Sequence, residues 1–303
     1  MKTTVQLIKR NIKMFFADKG LFFTAMITPA ILLVLYVTFL DNVYRQSFGA
    51  IITDGFGFTV SEKALNGFVG GQLISSLLAT TSVTVSVCSN MLMVQDKITG
   101  MKNDMLVTPV KKHIPPISYY LSTLTVTFLI ALLAIGGGFI YIASVGWYLS
   151  ALDVLLVIFD TFSLVMFGTA LSSVINFFLS SQGQISAVGS IISSIYGFIC
   201  GAYMPTSQFP EWMRRAISFF PGIYGTSLLR EHLMRGAISQ MTEEGLPAEA
   251  VATLKDTVDC TIYFFDTRVE VWQSYLVVAA SVLVLLGAYI LLNVIRNKRA
   301  KKA

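Results

Sequence analysis

Few residues in this chain could do chemistry. The histidines are His113 and His232, and the cysteines are Cys88, Cys200 and Cys260. No CxxC pair or histidine cluster supplies metal-ligand spacing, and three cysteines make no disulfide framework. No GxxxxGK[ST] phosphate loop occurs, so the chain has no ATP-hydrolysing site of its own. One acid, Asp160, lies inside an apolar run, where a carboxylate is expensive. Read functionally it is a cation or proton site. The other reading is a structural role, which is the expectation because the spans contain no Lys, Arg or His to pair with it and no second acid beyond Asp153 at the outer edge. A membrane acyl or phosphoryl transferase would need clustered acid, base or metal groups, and the two histidines fall on opposite sides of the topology derived below.

The densest polar stretch is Gln95–His113, QDKITGMKNDMLVTPVKKH, where Lys97, Lys102, Lys111 and Lys112 accompany Asp96 and Asp104 between two apolar runs. Such a stretch must stand in water on one side of a bilayer. Apolar residues make up 54% of the 303 residues and charged ones 13%, against roughly a quarter charged in soluble domains, which makes the chain a polytopic membrane protein. The net charge of +5 could signal nucleic acid. The basic residues instead gather before the first span (Lys2, Lys9, Arg10, Lys13, Lys19), in this loop, and after the last span (Arg296, Lys298, Arg299, Lys301, Lys302). That distribution is topological and excludes a nucleic-acid surface.

A span needs about 20 mostly apolar residues. Six stretches qualify, at 21–40, 74–94, 117–143, 152–179, 185–202 and 272–294. They define an all-α fold of six transmembrane helices in one domain, 1–303. Six spans put both termini on one side, and the positive-inside rule makes that side cytoplasmic. No small-residue cleavage site follows the basic start, so the first span is expected to be retained. The segment 203–271 falls outside, is mildly acidic, and is expected to fold over the outer mouth. Cys200 and Cys260 share that side, which leaves a bridge between them open.

Within residues 1–20, Val5, Ile8, Ile12, Phe15 and Phe16 recur at helical spacing opposite Lys9, Arg10 and Lys13, the pattern of an interfacial amphipathic helix. The fifth span carries Gly189, Ser193, Gly197 and Gly201 four residues apart, a small-residue stripe that lets helices approach closely. Packing within the subunit and a seam at a pathway or homodimer interface both fit that stripe. Ser76, Thr80 and Thr84 repeat along the second span, where hydroxyls either bond to their own backbone or line a polar pathway. After span five, Pro205, Pro210 and Pro221 break an aromatic run. They predict a short helix over Glu211–Phe220 and a broken, partly re-entrant hairpin bearing Trp212.

Three features in this order resemble the membrane subunits of type-2 ABC transporters, the permeases of bacterial drug, lipid and polysaccharide exporters related in fold to eukaryotic G-subfamily transporters. They are the amphipathic leader before six spans; the loop residues Asp96, Lys97, Thr99, Gly100, Leu106, Thr108, Pro109 and Val110; and the run Gly201, Met204, Pro205, Phe209, Pro210, Trp212, Pro221 and Tyr224.

The resemblance implies that 95–113 holds a coupling helix seated in a groove of an ATP-binding subunit, with Ile8, Ile12, Phe15 and Phe16 in a connecting helix beside it. A helix over Lys97–Val107 would stop before Pro109. Asp96, Lys97, Gly100, Met101, Met105, Leu106 and Pro109 are then the coupling residues, and Pro205, Pro210, Trp212, Pro221 and Tyr224 form an outer gate. The resemblance further implies two permeases, as homodimer or heterodimer, and two ATPase subunits that hold ATP and Mg, with no cofactor on this chain. The location is the plasma membrane of a bacterium. The long acidic external segment favours an amphiphilic cargo (drug, peptide or lipid-like) over a glycan. The alternative is a self-contained secondary transporter or channel using Asp160.

Overall fold

The computed structural model of the protein describes residues 2–101, 110–265 and 267–299. Helix α1 (Lys2–Ala17) follows the predicted amphipathic leader, burying Asn11 and Phe15 while Lys9 and Lys13 stay exposed. It stops at Asp18, whose carboxylate caps the next helix by accepting from the Leu21 N–H at 3.1 Å.

Helix α2 (Lys19–Gly55) is much longer than the predicted span 21–40: its 37 residues reach about 55 Å, well beyond a bilayer core of about 30 Å. Tertiary contacts hold the polar second half in helix. Phe48 packs on Phe68 at 5.2 Å and Tyr141 donates to Asp41 at 2.8 Å, while within the helix Arg45 pairs with Asp41 one turn back at 2.7 Å. Hydropathy reports the stretch that lipid must cover, so this extension left no trace in it.

Helix α3 (Glu62–Ile98), capped by Ser61, is the central post. It packs against α2, α4 (Ile114–Val145), α5 (Ala151–Phe178), α6 (Gln182–Ile199) and α8 (Pro221–Glu243), and every residue from Gly67 to Val94 is buried. Small side chains permit this crowding: a Cβ at Gly71 would stand 2.9 Å from the Leu233 carbonyl oxygen.

Among the described residues five helices are long and apolar enough to cross a membrane: α2 to α5, and α10 (Val271–Arg299). The predicted fifth span, 185–202, corresponds to α6, whose 18 residues include four serines and two glutamines. At one end of the bundle α1 meets the end of α3, the Lys97 ammonium donates to carbonyls at the end of α5, and Arg296 of α10 lies over Phe177 at 4.6 Å. Both terminal helices therefore finish on the same face. At the opposite face Glu244 accepts from Ser61.

The segment 203–271 departs most from expectation. It does not lie wholly over the mouth, because α8 inserts into the bundle between α3, α5 and α10. Its start packs against Phe167 through Phe220, at 6.1 Å, about 24 Å along α5 from Ala151. The predicted short helix is α7 (Glu211–Ile217), with Pro210 at its cap, and Pro221 opens α8 rather than closing α7. Helix α9 (Ala248–Thr257) and an antiparallel hairpin, β1 (Ile262–Phe264) with β2 (Thr267–Val269), complete the segment.

Candidate functional site

At the end shared by the termini, Arg10 of α1 donates to both Asp96 oxygens, at 2.6 and 3.0 Å, and Tyr119 of α4 donates to Asp96 at 2.5 Å. The Asp96 bond keeps the Arg10 pKa above its ordinary value, against the opposing effect of burial. One residue further on, Lys97 donates to the carbonyls of Asn176, Phe177 and Leu179 at 2.8 to 3.0 Å, satisfying groups that the end of α5 would otherwise leave orphaned.

Asp96 and Lys97 thus form the last turn of α3 and face inward. The helix predicted over Lys97–Val107 is interrupted, since α3 ends at Ile98 and Gly100 takes φ +81, a left-handed conformation that stops a helix. Met101 beyond it is exposed. Met105, Leu106 and Pro109 lie outside the described residues. In α1, Phe15 is buried against the bundle, Ile8 and Ile12 are half-buried, and Phe16 is exposed.

The small-residue stripe splits. Gly189 and Ser193, with Ser186, Ser190 and Ser194, line a cleft of about 600 Å³ between α2, α3 and α6 whose other wall carries Thr24, Thr28 and Met91. Gly197 faces the Tyr203 ring instead, where a Cβ would come within 2.2 Å. Gly201 is not on the helix: it follows α6 at φ +69, against Asp259 and Arg230. Ser76, Thr80 and Thr84 do not reach the cleft. All three are buried, and Thr80 and Thr84 donate to carbonyls one turn back at 2.8 Å.

Two buried ionic centres were not legible from spacing. Asp160 has partners after all: His232 Nδ1 lies 2.6 Å from one oxygen and the Tyr275 hydroxyl donates to the other at 2.5 Å, joining α5, α8 and α10. The expectation of an unpaired acid fails because His232 belongs to an inserted helix and not to an external loop. Arg230, 0% exposed, donates to Asp259 at 3.2 Å and to the Gly201 carbonyl at 2.5 Å. Asp259 also accepts from Thr206 twice, at 2.6 and 2.7 Å. The signal available was the charged Arg-Glu-His triplet inside an otherwise apolar run, GIYGTSLLREHLMRG.

Of the outer-gate candidates, Tyr224 is buried and donates to the Ser218 carbonyl at 2.6 Å, Pro205 is buried, Pro210 and Pro221 bound helices, and Trp212 is 71% exposed. All three cysteines are free and buried, and burial pushes the Cys260 thiol up to about 12. Among the described residues no three His, Cys, Asp or Glu side chains gather as metal ligands.

A helical bundle with five apolar crossing helices and its ionic groups paired inside is a multi-pass membrane protein. A family model described as ABC-2 family transporter protein matches residues 46–291, and the chain belongs to that family. It is the membrane component of an ABC transporter, a transport subunit and not itself catalytic, and membership implies an ATP-binding partner subunit. Comparison with curated proteins gives no match.

Proposed function

We propose that this chain is the permease subunit of an ATP-driven exporter in the bacterial plasma membrane, with both termini cytoplasmic. Two copies of an ATP-binding subunit would carry ATP and Mg, and a second permease, identical or related, would complete the assembly. The observation that carries the reading is the Arg10–Asp96–Tyr119 clasp. It ties the leader helix to the last turn of the central post, so that a push on the following loop reaches the whole of α3. Gly100 and exposed Met101, together with Met105, Leu106 and Pro109 outside the described residues, are the residues proposed to meet the ATPase. The cleft with Gly189 and Ser193 suits an amphiphile, since small hydroxyls and methyls line it together. ATP-driven closure of the ATPase pair would favour one of two permease conformations through differential binding.

The test is reconstitution with the ATP-binding subunit. The chain alone should hydrolyse no ATP, the complex should, and chemically distinct amphiphiles should stimulate it to different extents. Gly100→Trp should abolish stimulation without loss of membrane insertion, since its φ of +81 disfavours any side chain. Failure to recover an ATP-binding partner would sink the reading. A secondary transporter working through Asp160 has one observation in its favour, the buried pair with His232. It predicts cargo flux in vesicles holding this chain alone.

A further inference from the structure

We propose that the pocket between α7 and the β1–β2 hairpin holds the headgroup of a zwitterionic phospholipid, in the leaflet at the end of the bundle opposite the termini. The pocket measures about 450 Å³, and its wall includes Glu211, Arg214, Arg215, Ser218, Asp256 and Phe265. Its level follows from the chain: β2 ends at Val269, and the crossing helix α10 begins at Val271 with Trp272 61% exposed. The pocket therefore stands where α10 enters the membrane, the depth at which aromatic side chains collect.

Two features fit a lipid there. The first is an aromatic patch: Phe219 (65% exposed), Phe264 and Phe265 meet edge to face at 5.1 to 5.8 Å. Contiguous exposed rings of this kind mark an interaction surface, and at this depth they fit the glycerol and upper acyl region. The second is charge. Arg214 and Arg215 present guanidinium groups, which match phosphate geometry, and Arg215 lies over the Phe265 ring at 5.5 Å. Glu211 and Asp256 lie on the same wall; Glu211 is held by Arg215 at 2.5 Å, and Asp256 repels a purely anionic headgroup while attracting an ammonium. The third acid, Asp259, is already occupied by Arg230 and Thr206. With Arg215 and Glu211 paired to each other, Arg214 and Asp256 are, among the described residues, the cation and the carboxylate left to complement a phosphate joined to an ammonium, as in phosphatidylethanolamine. Only the chain's membrane crossing enters this argument, which stands whatever the cargo is.

The full chain is purified from nanodiscs holding equal amounts of phosphatidylethanolamine and phosphatidylglycerol, and retained lipid is read by native mass spectrometry. Phosphatidylethanolamine should be retained in preference. Arg214→Ala with Arg215→Ala should weaken its retention at least about tenfold, the value of one hydrogen bond to a charged group. Glu211→Gln with Asp256→Asn should move the preference toward phosphatidylglycerol, and water-soluble phosphoethanolamine should not displace the lipid. All four side chains are exposed, so unfolding midpoints should hold; if one falls, the preference of the unmutated chain decides. Equal retention of the two lipids, an arginine variant that keeps phosphatidylethanolamine like the parent, or displacement by free phosphoethanolamine overturns the proposal.

Discussion

Removing Arg10 should harm the protein more than neutralising the acid it holds. In the clasp the Asp96 side chain is 4% exposed and that of Arg10 24%. Arg10→Ala leaves the Asp96 carboxylate enclosed with a single donor, Tyr119 at 2.5 Å. Stranding one member of a fully buried pair costs about 3–5 kcal/mol, and the partial exposure of Arg10, through which water can enter, reduces this to about 2–3 kcal/mol. Asp96→Asn keeps an acceptor of the same shape and loses one charge-assisted hydrogen bond, about 1.5 kcal/mol, the low end for bonds to a charged group because Arg10 is partly exposed. The double variant strands no charge, so adding Asp96→Asn to Arg10→Ala should recover about 1 kcal/mol. The assay is unfolding in detergent followed by helical circular dichroism, with the four proteins forming a double-mutant cycle. If the double variant is less stable than Arg10→Ala by the cost of Asp96→Asn alone, the two residues do not act as a pair and the clasp carries no coupling.

Gly236→Ala should cost about 1–3 kcal/mol, since its Cβ would fall 1.9 Å from the Tyr148 carbonyl oxygen, whereas Gly137→Ala, with open space around it, should be neutral or better; equal midpoints would refute the contact. The Ser61 backbone N–H and then its hydroxyl hold the Glu244 carboxyl below its ordinary 4.5. A depressed acid stabilises at pH above that value and loses the contribution as pH falls through the lowered one. Glu244→Ala should therefore unfold earlier than the parent at neutral pH and converge with it as the pH falls through the lowered pKa; a constant gap would exclude this bond as the cause. Cys260, with its thiol raised to about 12 by burial, should resist maleimide at neutral pH until the chain is unfolded, and reducing agent should change no mass, because all three cysteines are free.

Local pattern foretold some elements and missed others for identifiable reasons. The leader was legible because Ile8, Ile12 and Phe15 repeat on one face, and α7 because Pro210 marks its start. The second half of α2 was not, since Asp41, Arg45 and Phe48 become helical by packing on Phe68 and Tyr141. Helix α8 was hidden because its Arg230, Glu231, His232 and Arg235 lower its hydropathy, although each has a carboxylate or ammonium partner once folded. The Gly189–Gly201 stripe was read as one face, but the chain leaves the helix at Ile199, before Gly201.

From sequence alone, the class of protein and its multi-pass character follow, because lipid demands long apolar runs. The missing phosphate loop belongs to the same tier, since that chemistry is written in contiguous residues. Tertiary structure alone decided the partners of charged groups. Asp160 and His232 are 72 positions apart, and Arg10 and Asp96 86. No periodicity records such a meeting, and only the packing of α8 into the bundle and of α1 against its end creates it.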